Sequence, residues 1–317
     1  MILSLKRFQI GYGILFGILI LIPTSCTKLI SDEFSEFESV PAVNSILVAG
    51  NPITFHVSLA EKIDSTSLTL VNDAVLMLSG SESGSEVMTP VGDGFYTSET
   101  IAIPGEIYSC LIQLEGYDDL YACDTVPEIT EVKITGQTNR ARYNDEGIWM
   151  EGIEFEFKDN PSTKDFYEVV LYRKQHGYSD QMGLFDENSE ILLNEGLEPY
   201  TTETLVFSDH MMNDSLITMN LDFQADYDWV CWSPGNCGPG IGEHNLVLEL
   251  RHISQEYYRF KKHFYLYEKN RYPYFVEGTA TAFSLYSNIE NGQGVIGSYA
   301  LSIDSIFVEL DSIPVYP

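Results

Sequence analysis

From Asn44 onward, short apolar runs alternate with polar residues and are separated by glycine, proline and acidic turns. Asn44–Ala49 and Ile53–Leu59 flank Gly50-Asn51-Pro52, and Ala74–Leu78 precedes the Ser-, Gly- and Glu-rich loop Ser79–Glu86. Gly92-Asp93-Gly94 then turns the chain into Phe95-Tyr96-Thr97. Ile107–Leu114 and Asp119–Asp124, on either side of Glu115-Gly116-Tyr117-Asp118, read as a hairpin. Strands this short, with turns at this spacing, predict a β-sandwich. We place it, as an Ig-like or prealbumin-like domain, at residues 43–127, with Val126-Pro127 as its exit.

A second β-rich domain is predicted over residues 128–317. Ile129–Thr135 opens it. In Ile148–Phe157, Ile153, Phe155 and Phe157 share one face, while Glu154, Glu156 and Lys158 share the other, the period of a half-buried strand. Phe166–Arg173, Thr204–Phe207, Ser215–Phe223 and Asn245–Ile253 read as further strands, and acidic Gln181–Pro199 as a long loop. Ser254–Asn270 differs: Tyr257, Phe260, Phe264 and Tyr267 recur at helical spacing behind Ser254, a capping residue. This predicts one substantial helix at about 254–270, its aromatic stripe packing into the core. Phe283–Ile289 and Ser298–Leu310 return to strands around a glycine-rich turn. The fold class is therefore mostly β.

The start of the chain fits neither domain. Lys6 and Arg7 precede an apolar run from Ile10 to Ile22, and Pro23-Thr24-Ser25 lead to Cys26. This is the order of a secretory signal, and the run is short for a membrane-spanning helix, which needs about 20 residues. A cysteine directly after small residues looks like a bacterial lipoprotein cleavage site, so residues 1–25 read as signal peptide and Cys26 as the lipidated N-terminus. A secretory signal with an incidental cysteine and an uncleaved anchor helix are the competing readings. Two or three acyl chains on one cysteine anchor a protein stably. Residues 26–42, with Asp32, Glu33, Glu36 and Glu38, read as an acidic tether of the kind that accompanies surface export.

The formal net charge of −30 argues against a nucleic-acid partner, whose binding rests on Lys and Arg neutralising phosphates. Four cysteines follow Cys26, and an exported chain is expected to pair them. If the hairpin centres on Gly116–Tyr117, Cys110 and Cys123 face each other across it, close enough to bridge. Cys231 and Cys237 flank Trp232-Ser233-Pro234-Gly235-Asn236 and would close a small loop. Without a CxxC pair or a tight histidine cluster, a cysteine metal site is the weaker alternative.

Few residues point to catalysis. Gly292-Gln293-Gly294-Val295-Ile296-Gly297 fits G-x-G-x-x-G, but a strand rather than a helix is predicted after it, so we read a glycine turn and no nucleotide site. His210-Met211-Met212, with Asp209 and Asp214, has soft-metal donors but reads as a loop. Asp159, Asn160 and Asp165 fall short of a calcium-loop pattern. No nucleophile motif stands out, and 47 acids produce carboxylate pairs by chance. The expectation is a non-enzymatic protein with no catalytic residue, no metal ligand and no cofactor.

Several segments together resemble a known family: Cys26, Pro104-Gly105-Glu106-Ile107-Tyr108, Gly116-Tyr117, Phe155-Glu156-Phe157-Lys158-Asp159, Asp165-Phe166-Tyr167, Ile253-Ser254-Gln255-Glu256-Tyr257-Tyr258, and the stretch from Tyr286 to Gly297. They resemble the Bacteroidota lipoprotein family known as domain of unknown function 4249. The resemblance implies a lipid-anchored outer-membrane protein, facing the cell surface and accessory to a SusC-like TonB-dependent transporter in nutrient uptake. It supplies no catalytic residues. A structural or adhesion β-sandwich lipoprotein of the envelope is the alternative.

Overall fold

The computed structural model describes residues 38–61, 68–143, 149–175, 177–185, 204–211, 215–224, 228–233, 236–240, 243–271 and 284–309. The signal segment, Cys26 and most of the tether lie outside the described residues. The residues from Ser39 onward form one compact unit.

A 10-stranded sheet runs through the whole unit. Its order is Tyr178–Met182, Phe166–Gln175, His244–Ile253, Gln293–Val308, Pro41–Val48, Pro52–Leu59, Phe95–Ile101 and Thr89–Gly92, with two short strands paired to its flanks. The opening strand Pro41–Val48 and the closing strand Gln293–Val308 lie side by side and parallel, from Ala42 opposite Gln293 to Val48 opposite Tyr299. Two smaller sheets cover this long one. Gly84–Val87, Val75–Gly80, Ile107–Gln113 and Leu120–Thr125 make one; Val132–Tyr143, Trp149–Lys158, Leu216–Gln224 and Leu184–Phe185 make the other. The fold is thus mostly β, two sandwiches built on one shared sheet.

Each sandwich has its own core. The first is built from residues between Val43 and Val126, including Phe55, Leu76, Tyr96 and Tyr108, and it also takes in Ile289 and Ile296. The second runs from Val132 to Val308 and includes Phe155, Phe157, Tyr167, Phe207 and Leu248. The two cores are not divided at one point of the chain, because the closing strand gives Ile296 to the first and Val308 to the second. Ser302 Oγ and Asp304 Oδ2 on that strand accept the N–H groups of Val132 (3.0 Å) and Ile134 (2.7 Å).

The helix spans Gln255–Arg271 and is the one α-helix among the described residues. Ser254 caps it as expected, its Oγ accepting the Tyr257 N–H at 3.1 Å. Tyr257 is buried with Phe166, Val206 and Ile253 against the long sheet, whereas Phe264 of the aromatic stripe is exposed. The helix is also held by charge. Glu168 is fully buried, and its carboxylate meets Arg251 Nη1 at 3.0 Å, Lys261 Nζ of the helix at 2.8 Å and Thr204 Oγ1 at 2.9 Å. Burial alone would raise its pKa, but Lys261 and Arg251 outweigh that and lower it.

The glycine stretch Gly292–Gly297 is no turn: the closing strand starts at Gln293. Gly294, at φ +109°, lies so close to the opening strand that a Cβ would stand 2.0 Å from the Val43 carbonyl oxygen. Residues 284–289 precede this strand without being one, and Glu290 bridges to Tyr121 instead.

The hairpin carrying Cys110 and Cys123 pivots on Gly116 itself, so Cys110 pairs with Ala122 and Cys123 with Ser109. A one-residue slip sends side chains to opposite faces of a sheet. Cys110 is accordingly buried and Cys123 exposed, both as free thiols, so the expected bridge between them is not formed. Cys231 and Cys237 stand directly opposite each other on paired strands, Asp228–Ser233 and Asn236–Gly240; their side chains lie outside the description.

Two outcomes follow. Gly294→Ala is expected to destabilise the protein by at least ~3 kcal/mol in urea unfolding, because it adds positive-φ strain to a backbone clash. Gly116→Ala, also at positive φ but with open space around it, is expected to cost only about 1 kcal/mol. In maleimide labelling read by peptide mass mapping, Cys123 is expected to react in the native protein. Cys110, whose thiol burial pushes up to about 12, is expected to react only after unfolding.

Candidate functional site

Where the sandwiches meet, the chain leaves an open cleft of about 750 Å³. Three segments wall it: the end of the first sandwich and its exit, residues 123–128; the connection around residues 158–167, which crosses from the smaller sheet to the long one; and the start of the helix, residues 252–256. Each is there for a local reason. The first strand run ends at Thr125, before Pro127. Asn160 makes a polar turn, accepting the N–H groups of Ser162 on its side-chain oxygen (3.1 Å) and Thr163 on its carbonyl (3.0 Å). Ser254 begins the helix.

One wall is fixed by serine hydroxyls. Ser298, fully buried on the closing strand, places its Oγ 2.7 Å from both Asp124 Oδ2 and the Thr125 carbonyl oxygen. Its N–H donates to Ser254 Oγ at 3.2 Å. The first sandwich, the closing strand and the helix cap are thereby locked to one another. Burial pushes the Asp124 carboxyl up to about 6; Ser254 and Ser298 pull it back, and Glu256 adds a smaller upward push.

Asp159 and Asp165 make another wall of the cleft acidic, and Asp209 stands within reach of both. Asp159 follows the strand Trp149–Lys158, Asp165 precedes Phe166–Gln175, and Asp209 follows Leu205–Ser208. Pairing of Phe166 with Ser208 and an Asp209 N–H bond to the Asp165 carbonyl (3.0 Å) bring the last two together. Oxygen atoms from all three carboxylates lie within 4.8 Å of one another, and among the described residues these are the acids placed to share an ion. Asp159 and Asp209 are buried. Asp159 Oδ1 accepts the Tyr167 hydroxyl at 2.6 Å, while its Oδ2 is buried with no partner.

Asp165 is oriented from two sides, by the Thr163 hydroxyl on Oδ2 (2.6 Å) and by His252 Nε2, 3.4 Å from Oδ1. His252 Nδ1 lies 2.9 Å from the Glu128 carbonyl, which can only accept, so Nδ1 carries the hydrogen. Burial raises the pKa of Asp159, and the negative charges of Asp209 and Asp165 raise it further, against the pull of the Tyr167 hydroxyl. For Asp165 burial also pushes upward, but His252 and Thr163 outweigh it and the pKa is lowered.

The sequence-level candidates fare unequally. Cys26 lies outside the described residues. Asp159, Asn160 and Asp165 do line the cleft, and their missing companion is Asp209. In the soft-metal candidate, Asp209 turns inward whereas His210 is exposed; 212–214 lie outside the described residues. Asp124, Ser298, Tyr167 and His252 were not marked as site residues by sequence reading. Only strand pairing places Asp124, Tyr167 and His252 at the cleft and Ser298 against Asp124.

Asp124 gives a pH test. A carboxyl raised on folding from 3.8 to about 6 costs stability when ionised, ~3 kcal/mol for that displacement. The cost is absent below the unfolded value and complete above the folded one. Asp124→Asn is therefore expected to raise the melting temperature relative to the parent at pH 8 and to give no such gain at pH 3.5.

Comparison with known proteins agrees with the segments noted in the sequence. No curated protein matches the chain. A family profile matches residues 27–302, most of the sequence and all of the strands that build the two sandwiches up to Ser302. The chain belongs to the family described as Domain of unknown function (DUF4249).

Proposed function

We propose that this protein is an outer-membrane lipoprotein, held at the cell surface through a lipid on Cys26. There it serves as the accessory or ligand-binding component of a TonB-dependent nutrient-uptake system. The observation that carries the binding role is the open cleft of about 750 Å³ between two sandwiches locked onto one sheet. A rigid concave site with a few oriented polar groups is the usual form of a small-ligand site.

The envelope location is supported by the order of charged, apolar and small residues before Cys26 and by the acidic stretch after it. Two or three acyl chains on Cys26 would supply the attachment. The family resemblance implies a SusC-like transporter as partner, which is the ground for the uptake role.

Native pull-down of the tagged, lipidated protein from its own outer membrane, followed by mass spectrometry, tests this. A TonB-dependent transporter is expected at near-stoichiometric yield. Replacing Cys26 by Ser is expected to release the protein from the membrane fraction and to abolish that recovery. Recovery of the protein alone, or with surface polymers only, would replace the uptake role with a structural or adhesive one.

A further inference from the structure

We propose that Asp159, Asp165 and Asp209 bind a hard divalent cation, calcium, in the acidic wall of the cleft. This goes beyond the uptake role and does not depend on it. Three carboxylates offer oxygen atoms within 4.8 Å of one another. Two of the residues are more than nine-tenths buried, Asp159 at 8% and Asp209 at 5% exposure. Among the described residues neither is paired with a lysine or arginine. The nearby Lys164 ammonium lies over the Phe166 ring instead, 5.3 Å from its centroid.

The independent observation is Asp159 Oδ2. It is buried and accepts no hydrogen bond, although Oδ1 of the same carboxylate has the Tyr167 hydroxyl. A buried carboxylate oxygen left without a donor beside two further carboxylates is costly, and a bound cation supplies the missing partner for all three.

The donor set selects the ion. All three ligands are carboxylate oxygens, which suit calcium, magnesium or manganese and not a soft metal. Calcium holds oxygens at about 2.3–2.6 Å, so ligands on opposite sides of it stand roughly 4.6–5.2 Å apart; for magnesium the figure is about 4.0–4.2 Å. Oxygens that all lie within 4.8 Å of one another fit inside the span of a calcium shell. The remaining shell positions are left to water or to a ligand in the cleft. Thr163 and His252 act as positioning residues, holding Asp165 from both sides. The ion would join the connection at residues 159–165 to the turn at Asp209–Met211. The acidic wall would then be a clamped surface.

The test is calorimetric titration of the full, lipidated chain in detergent at physiological ionic strength, after stripping with EDTA, with calcium chloride as the probe. One equivalent is expected to bind, with a dissociation constant of about 10⁻⁴ M, the range of extracellular modules, and calcium is expected to raise the melting temperature. Asp159→Asn and Asp209→Asn are each expected to bind at least tenfold more weakly. In calcium-free buffer both should melt no lower than the parent, since each removes one charge from the cluster. Four results would overturn the proposal: no saturable calcium binding by the parent, no calcium-dependent change in its melting, undiminished binding in both variants, or zinc binding that calcium cannot displace. The parent titration decides even if a variant fails to fold. The transporter pull-down is a separate readout, so either idea can fail alone.

Discussion

The architecture depends on one pairing, the parallel contact of the opening strand with the closing strand. It turns two sandwiches into a single sheet, and it is possible because Gly294 has no side chain where the Val43 carbonyl passes. Parallel strands need a long crossover, and here nearly the whole chain is the crossover. The contact also has the largest sequence separation among the described strand pairs, so it carries the largest loop-closure cost. Glycine at this position is therefore a requirement of topology. The G-x-G-x-x-G spacing that resembles a phosphate loop is the footprint of three close approaches, Gly292 against Leu120, Gly294 against Val43 and Gly297 against Tyr257.

That pairing also makes the cleft. Once the closing strand is seated, its two faces do different work. Ile296 enters the first core and Ser298 reaches Asp124 on one side; Gly297 lets Tyr257 of the helix settle on the other. Buried Glu168, bonded to both a sheet arginine and a helix lysine, fixes the rest of the helix to the same sheet. The helix start, the exit of the first sandwich and the connection at 158–167 then converge at one end of the second core. Removing Arg251 or Lys261 would leave the buried Glu168 carboxylate with only one of its two cationic partners, so the network resists piecemeal change.

Periodicity carried much of this. The alternation of Ile153, Phe155 and Phe157, the Ser254 cap and the short strands of the first sandwich could be read because each is a local signal in a window of a few residues. What escaped was register and convergence. Cys110 and Cys123 were expected to face each other because a hairpin centre half a residue away would make them do so. The pivot on Gly116 sends them to opposite faces. Residues Gly292–Gly297 read as a turn because glycine is frequent in turns, yet here it serves a close parallel contact. Phe264 kept helical spacing with the other aromatics but lies beyond the edge of the surface that the helix covers.

The acidic wall shows the same limit from the side of function. Asp159 and Asp165 look like ordinary polar residues at two strand ends, and Asp209 like part of a methionine-rich loop. In a chain with 47 acids, no spacing rule separates them from the rest. What separates them is burial: a surface carboxylate is solvated and needs no partner, whereas Asp159 has given up water and its Oδ2 has no hydrogen-bond partner. Such a cost persists only where something offsets it, and among the described residues no lysine or arginine is paired with Asp159 or Asp209, while His252 reaches Asp165. An acidic composition in itself speaks for solubility. Three carboxylates carried to one buried point by the pairing of Phe166 with Ser208 speak for a cation.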